Sequence, residues 1–169
     1  MVEEKFLLDA NIFVTPYQNY YPFDFAPGFW NQLSPKLALE NVAVLDVVKD
    51  EIIKGDDELS DWFKDVPNLN ILDRRDANII KEYSKVLTYL QDSPLYSDKA
   101  LRAWSQTGVA DPWLIAAAKA YGYTIVTLEV STGKITTVCN KPKIPSVGGD
   151  LGVKCENLFS FMRKMGFSL

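Results

Sequence analysis

Four short runs of β-favouring residues, about Glu4 to Asp9, VAVLDVV at 42–48, NLNILD at 68–73 and TIVTL at 124–128, alternate with stretches of helical periodicity, and this alternation constrains the fold most tightly. The near-continuous apolar character of KFLL, VAVL and TIVTL suits strands buried on both faces, as parallel strands are when helices cover the sheet. The expected architecture is therefore α/β, a three-layer α/β/α sandwich with a mostly parallel sheet. At 169 residues and 47% hydrophobic, the chain has material for one sizeable core and is expected to form a single domain over 1–169.

The clearest helix is DANIIKEYSKVLTYLQD, where Ile79, Ile80, Tyr83, Val86, Leu87 and Leu90 share one face and Lys81, Glu82, Lys85 and Gln91 the other. Asp111 before Pro112 reads as an N-cap with proline in the first turn, and Gly122 reads as the stop of the same helix. Further helices are expected from Pro27 through Leu33, over 57–63, and in ENLFSFMRKMGF, which should bury Leu158, Phe159, Phe161, Met162 and Met165. One or two helical turns are expected at Ala100 to Trp104, and KITTV reads as a hairpin arm.

Composition narrows the chemistry. The chain has no histidine, which removes Ser-His-Asp, Cys-His and every other His-based acid or base. Cys139 and Cys155 lack metal-ligand spacing and read as two buried reduced thiols, with a disulfide as the alternative. The amino terminus has acids where a secretion signal needs basic residues, and no apolar run approaches a membrane span, so a cytoplasmic protein with no membrane partner is expected. A net charge of −4 argues against broad attraction to nucleic acid. Local basic groups would have to hold a polyanion; Arg74-Arg75, Lys99 with Arg102, and Lys141 with Lys143 are the candidates, and Lys141 and Lys143 are the expected RNA contacts.

Acidic residues stand next to apolar stretches at Asp9, Glu51, Asp111 and Glu129. Asp9 and Glu129 close strands, where open α/β sheets bind ligands, while Glu51 and Asp111 would come from neighbouring helix starts. Plainer readings stand beside each: Asp111 as N-cap, Glu51 as a solvated helix residue interchangeable with Asp50, Glu129 as a turn cap with Ser131 and Thr132. Asp9 gains nothing from burial unless it is paired or coordinated.

In order, LLDANIF, VVKDEI, ADPWLIAAAKAYG and TIVTLE resemble the four acidic motifs of the PIN-domain nucleases, a superfamily that includes the toxin ribonucleases of toxin-antitoxin pairs. The aromatic YYPFDFAPGFW segment and the KPKIPSV and LGVKCENLF tail look closer to an uncharacterised PIN-like family of bacteria and archaea. The resemblance implies a metal and catalytic site of Asp9, Glu51, Asp111 and Glu129, with Asn11 and Thr127 as supporting polar residues. Glu129 departs from the aspartate more usual in the fourth motif, and Asp98 is the substitute ligand. Carboxylates about 5 Å apart repel by roughly 3 kcal/mol per pair at an effective dielectric near ~20, so such a cluster needs a cation. All-oxygen ligands suit Mg²⁺ or Mn²⁺. The implied protein is a Mg²⁺- or Mn²⁺-dependent endoribonuclease that hydrolyses RNA phosphodiester bonds, a toxin with an antitoxin partner, and a homodimer is one way for it to assemble a basic rim.

Two other readings compete. DANIFVT is superficially similar to the nucleophile motif of haloacid dehalogenases, but Asn11 and Phe13 stand where an acid and Thr or Val are required. The alternative function is a catalytically weak PIN-like module that binds protein or nucleic acid through its aromatic segment, with Tyr17, Tyr20, Tyr21, Phe23, Phe25, Phe29 and Trp30 as an interface or a stacking platform. Core packing is the plainer reading of those rings.

Overall fold

The computed structural model describes residues 2–169. Among the described residues, five strands form one sheet: β1 (Lys5–Leu8), β2 (Val42–Leu45), β3 (Ile71–Leu72), β4 (Tyr123–Val126) and β5 (Cys155–Glu156), in the order β3-β2-β1-β4-β5. Parallel pairing sets Phe6 opposite Val42 and Leu8 opposite Val44, and Val44 opposite Ile71. The fold is thus the expected α/β arrangement with a mostly parallel sheet and flanking helices. No helix among the described residues is long and apolar enough to cross a membrane.

The chain divides into two compact units. The first runs to Asp73 and takes back Val126–Leu128 and Glu156–Leu169. It holds β1, β2, β3 and the helices α1 (Asn11–Thr15), α2 (Pro27–Lys36), α3 (Asp46–Lys54) and α4 (Glu58–Asp65). Leu7, Leu8, Phe13, Phe29, Leu33, Leu45 and Phe63 are fully buried there. Asp57 caps α4 by accepting the Ser60 N–H at 2.9 Å, so this helix starts one residue after its expected origin. Between α1 and α2 the chain makes a π-helical turn, Pro16–Tyr20, closed by the Tyr21 N–H donating to the Pro16 carbonyl. The sequence reads as too broken for a simple helix here, and the backbone accommodates this by widening one turn instead of unwinding it.

The second unit comprises Arg74–Ile125 and Glu129–Cys155. The long helix α5 (Ala77–Asp92) is capped by Asp76, which accepts from Asn78 and Ile79 N–H, and it buries Ile79, Val86 and Leu90. It packs on α7 (Asp111–Tyr121), where Tyr83 lies flat on Trp113 with ring centroids 3.7 Å apart. Between them in sequence, α6 (Asp98–Trp104) begins at the cap Ser97. Gly122 ends α7 at φ 75°, a left-handed conformation that favours glycine, and β4 follows at once.

Some expectations are corrected. Asp111 does not cap α7; it is the first helical residue, and Ala110 before it already has helical angles. The strand expected over VAVLDVV ends at Leu45, and Asp46, Val47 and Val48 already belong to α3. NLNILD shortens to the two residues of β3, and Asn70 before it turns its side-chain amide onto the carbonyls of Glu40 and Val42. KITTV forms no strand; the pairing nearby is the parallel bridge between Tyr96 and Cys139. A short helix, α8 (Ile144–Asp150), appears in a stretch with Pro145, Gly148 and Gly149 that argues against one. The last helix, α9 (Leu158–Lys164), buries Leu158, Phe161 and Met162 but leaves Phe159 exposed. Both cysteines are free thiols, as expected, but half-buried instead of buried.

Trp30 is 1% exposed, donates its indole N–H to the Tyr21 carbonyl at 2.7 Å, and meets Phe23, Phe29 and Trp62. Trp30→Ala should therefore cost about 3–5 kcal/mol of unfolding free energy in denaturant titration, as for other large core truncations.

Candidate functional site

Asp9 follows β1 directly and is 7% exposed. A carboxylate so buried requires hydrogen bonds, and it accepts from the Ala10 N–H at 2.7 Å and from the Thr127 hydroxyl at 2.8 Å. Thr127 in turn accepts from the Asn11 side-chain amide at 3.2 Å, and Asn11 Oδ1 accepts the Leu128 N–H at 3.0 Å. The Asp9 N–H also donates to the Val126 carbonyl at 3.0 Å. Asp9, Asn11 and Thr127 thus form one network at the carboxyl end of β1, tying it to the segment 126–128.

Glu51 lies in the middle of α3, a turn beyond its buried Val47 and Val48, and remains largely exposed. Desolvation by its surroundings nevertheless raises its carboxyl above the ordinary glutamate range. In the second unit, Asp111 opens α7 and Glu129 follows β4. Glu129 accepts the N–H of Ile144 at 2.8 Å, and so caps α8 from a distance in sequence that a local cap would not have. Asp98 is the exposed first residue of α6, capped by Ser97 and not by itself. Lys141 is exposed and Lys143, partly buried, directly precedes α8.

These placements overturn the metal centre. Among the described residues no three His, Cys, Asp or Glu side chains come together in a group that could hold a metal ion. The physical reason is visible in individual partners. Asp9 is held by a hydroxyl and an N–H, so its burial is offset without a cation, and the half-buried Glu129 is held by a helix N-terminus. The expected Mg²⁺ or Mn²⁺ cofactor and the metal-dependent endoribonuclease activity built on it are corrected accordingly.

What the structure does assemble is an aromatic cluster in the first unit. Phe23 stacks on Trp30 at 4.5 Å and Tyr21 on Phe29 at 4.8 Å. Trp62 of α4 meets Trp30 at 4.8 Å and Phe23 at 6.0 Å, and Phe167 meets Phe29 at 5.9 Å. Trp62 and Phe167 are the members that sequence reasoning misses; the signal for Trp62 is its place beside Phe63 in a short amphipathic helix. Two rings of the segment are not packed away: Phe25 is 79% exposed and Tyr20 is 50% exposed.

The acids respond to substitution in opposite directions. Asp9→Ala leaves the Thr127 hydroxyl and the Ala10 N–H without their acceptor and should destabilise by about 1–3 kcal/mol in chemical denaturation. For Glu51 the sign is reversed. With its folded pKa raised, ionisation costs stability as pH rises through that pKa, so Glu51→Gln should raise the melting temperature at neutral pH, and the difference should vanish once pH falls well below the ordinary glutamate value, where both states are protonated.

Solved structures with this fold include a chain of DNA-bound VapBC from Salmonella typhimurium, 15% identical, with a TM-score of 0.54 over 92% of this chain and 99% of that one. A chain of VapBC2 from Rickettsia felis, bound to a fragment of promoter DNA, is 19% identical, with a TM-score of 0.53 over 90% of this chain and 97% of that one. At such identities the likeness shows the fold, and it is the PIN-like fold that the four motifs resemble. No curated protein matches the chain in sequence. The family model described as Domain of unknown function (DUF4411) matches residues 6–169, nearly the whole chain, and the protein belongs to that family.

Proposed function

We propose that this chain is a catalytically weak PIN-like binding module that docks a partner protein through its aromatic segment. The observation that carries the reading is the contrast between neighbouring rings. Tyr21, Phe23, Phe29 and Trp30 stack into the first unit, while Phe25 and Tyr20 project into solvent from the same backbone. Exposed aromatics on a preorganised support suit interface anchors, because little conformational freedom is lost when they are buried.

The support is rigid for identifiable reasons. The π-helical turn places Tyr20 at its end, and the Trp30 indole fixes the Tyr21 carbonyl just beyond it. Gln32 pins the carboxyl-terminal residues by exchanging hydrogen bonds with Ser168, 2.8 Å to its carbonyl and 2.9 Å from its N–H. Leu169, 64% exposed, is near Gly28, where an added Cβ would come 4.0 Å from its side chain, three residues from Phe25. Phe25 and Leu169 thus flank the start of α2 with apolar surface of the kind that marks protein contacts.

The partner implied by the PIN resemblance is an antitoxin-like protein, and the solved structures of like fold are themselves VapBC assemblies. Phe25→Ala and Tyr20→Ala should each weaken capture of the native partner by about tenfold or more without lowering the melting temperature. Tyr21→Ala, which removes a stacked ring, should lower the melting temperature as well. Undiminished partner capture by the Phe25→Ala, Tyr20→Ala double variant, in a pull-down quantified by mass spectrometry, would refute the reading.

A further inference from the structure

The second unit carries a groove that the aromatic segment does not touch. Its volume is about 510 Å³, and its lining includes Ser131, Gly133, Lys134 and Ser146 on polar walls, with Leu95 and Ile135 on apolar ones. A smaller recess of about 220 Å³ continues it and shares Lys134 and Ile135. The larger volume falls within the range of small-molecule sites.

Three neighbouring hydroxyls meet here, Ser131 and Ser146 on the lining of the groove and Thr132 on that of the smaller recess. Ser146 Oγ accepts the Thr132 N–H at 3.0 Å and lies 3.0 Å from Thr132 Oγ1 and 3.2 Å from Ser131 Oγ. Ser131 Oγ accepts the Gly133 N–H at 3.1 Å, which holds the loop in a turn. The cluster has one hydrogen per hydroxyl and one fewer contact than hydroxyls, so one O–H remains to donate outward. Lys134 makes no ion pair or hydrogen bond among the described residues. The acids facing this region are both engaged: Asp150, on the groove wall, accepts from the Tyr89 hydroxyl, and Glu129 caps α8. The charged residues on the groove lining are Lys134 and Asp150, one of each sign.

We propose that this groove binds a small phosphorylated ligand of nucleotide size, its phosphoryl group seated between Lys134 and the one outward O–H of the Ser131, Thr132 and Ser146 cluster and its body against Leu95 and Ile135. An ammonium and a free O–H supply the charge-assisted donors that a phosphoryl group requires. The apolar walls give the remainder of the ligand a surface to cover. One unpaired lysine in a short groove suits a terminal phosphate better than a polymer, which needs a row of cations along its backbone.

The probe is adenosine 5′-monophosphate, titrated into the full chain by calorimetry, with adenosine, inorganic phosphate and a single-stranded oligonucleotide as comparison arms. The monophosphate should bind, phosphate should compete with it, and adenosine should bind at least about tenfold more weakly. Lys134→Ala should weaken the monophosphate by about tenfold and Lys134→Arg should restore part of the loss. Phe25→Ala should leave this binding unchanged, which separates the groove from the proposed docking surface. Absence of monophosphate binding, or affinity unaltered by Lys134→Ala, would overturn the proposal. So would tight binding of the oligonucleotide alone with a steep salt dependence, which assigns the groove to a polymer track.

Discussion

The buried hydrogen bond from the Thr127 hydroxyl to the Asp9 carboxylate is the contact on which the architecture of the first unit turns. It joins residues more than a hundred positions apart, and the backbone bond from Asp9 N–H to Val126 runs beside it. Asn11 extends the network to the Leu128 N–H, so strand end, following helix and returning segment share one set of polar partners. Groups this deeply buried are costly to leave unpaired, so the network specifies a single register for the returning chain.

The fold was legible where local chemistry and burial agree. β1 and β4 are near-continuous apolar runs and α5 carries a two-faced pattern, so each lies close to where periodicity places it, although Ile80 of α5 is exposed. β2 starts where expected but ends at Leu45, where α3 takes over. The misreadings arise where a distant contact decides. α8 contains two glycines and a proline, and it is stabilised at its start by Glu129, a residue fifteen positions away that no local cap rule would find. Asp111 looks like an N-cap because Asp-Pro pairs usually are, yet Ala110 already has helical angles and moves the boundary back by one residue.

The acidic residues show the same limit from the functional side. Sequence places Asp9 and Glu129 after strands, and the structure agrees, but position along the chain does not reveal hydrogen-bond partners. Once a threonine hydroxyl and a helix N–H occupy these carboxylates, the burial of Asp9 is explained without a shared cation. The aromatic segment was ambiguous in sequence for a related reason: ring identity does not say which rings stack and which face water. Trp30 and Phe29 go to the core, Phe23 and Tyr21 stack upon them, and Phe25 and Tyr20 remain largely outside.

Asp9 and Glu129 hold local structure through these bonds, and the proposed function rests on the exposed aromatic face instead of on a metal site. Unfolding free energy measured against Mn²⁺ and Mg²⁺ concentration, for the wild-type protein and for the Asp9→Ala and Asp111→Ala proteins, tests this division most directly. Neither ion should stabilise the wild-type protein more than it stabilises either substituted one. A saturable rise of about 2.7 kcal/mol at a hundredfold excess over the dissociation constant, present in the wild-type protein and abolished by both substitutions, would contradict it.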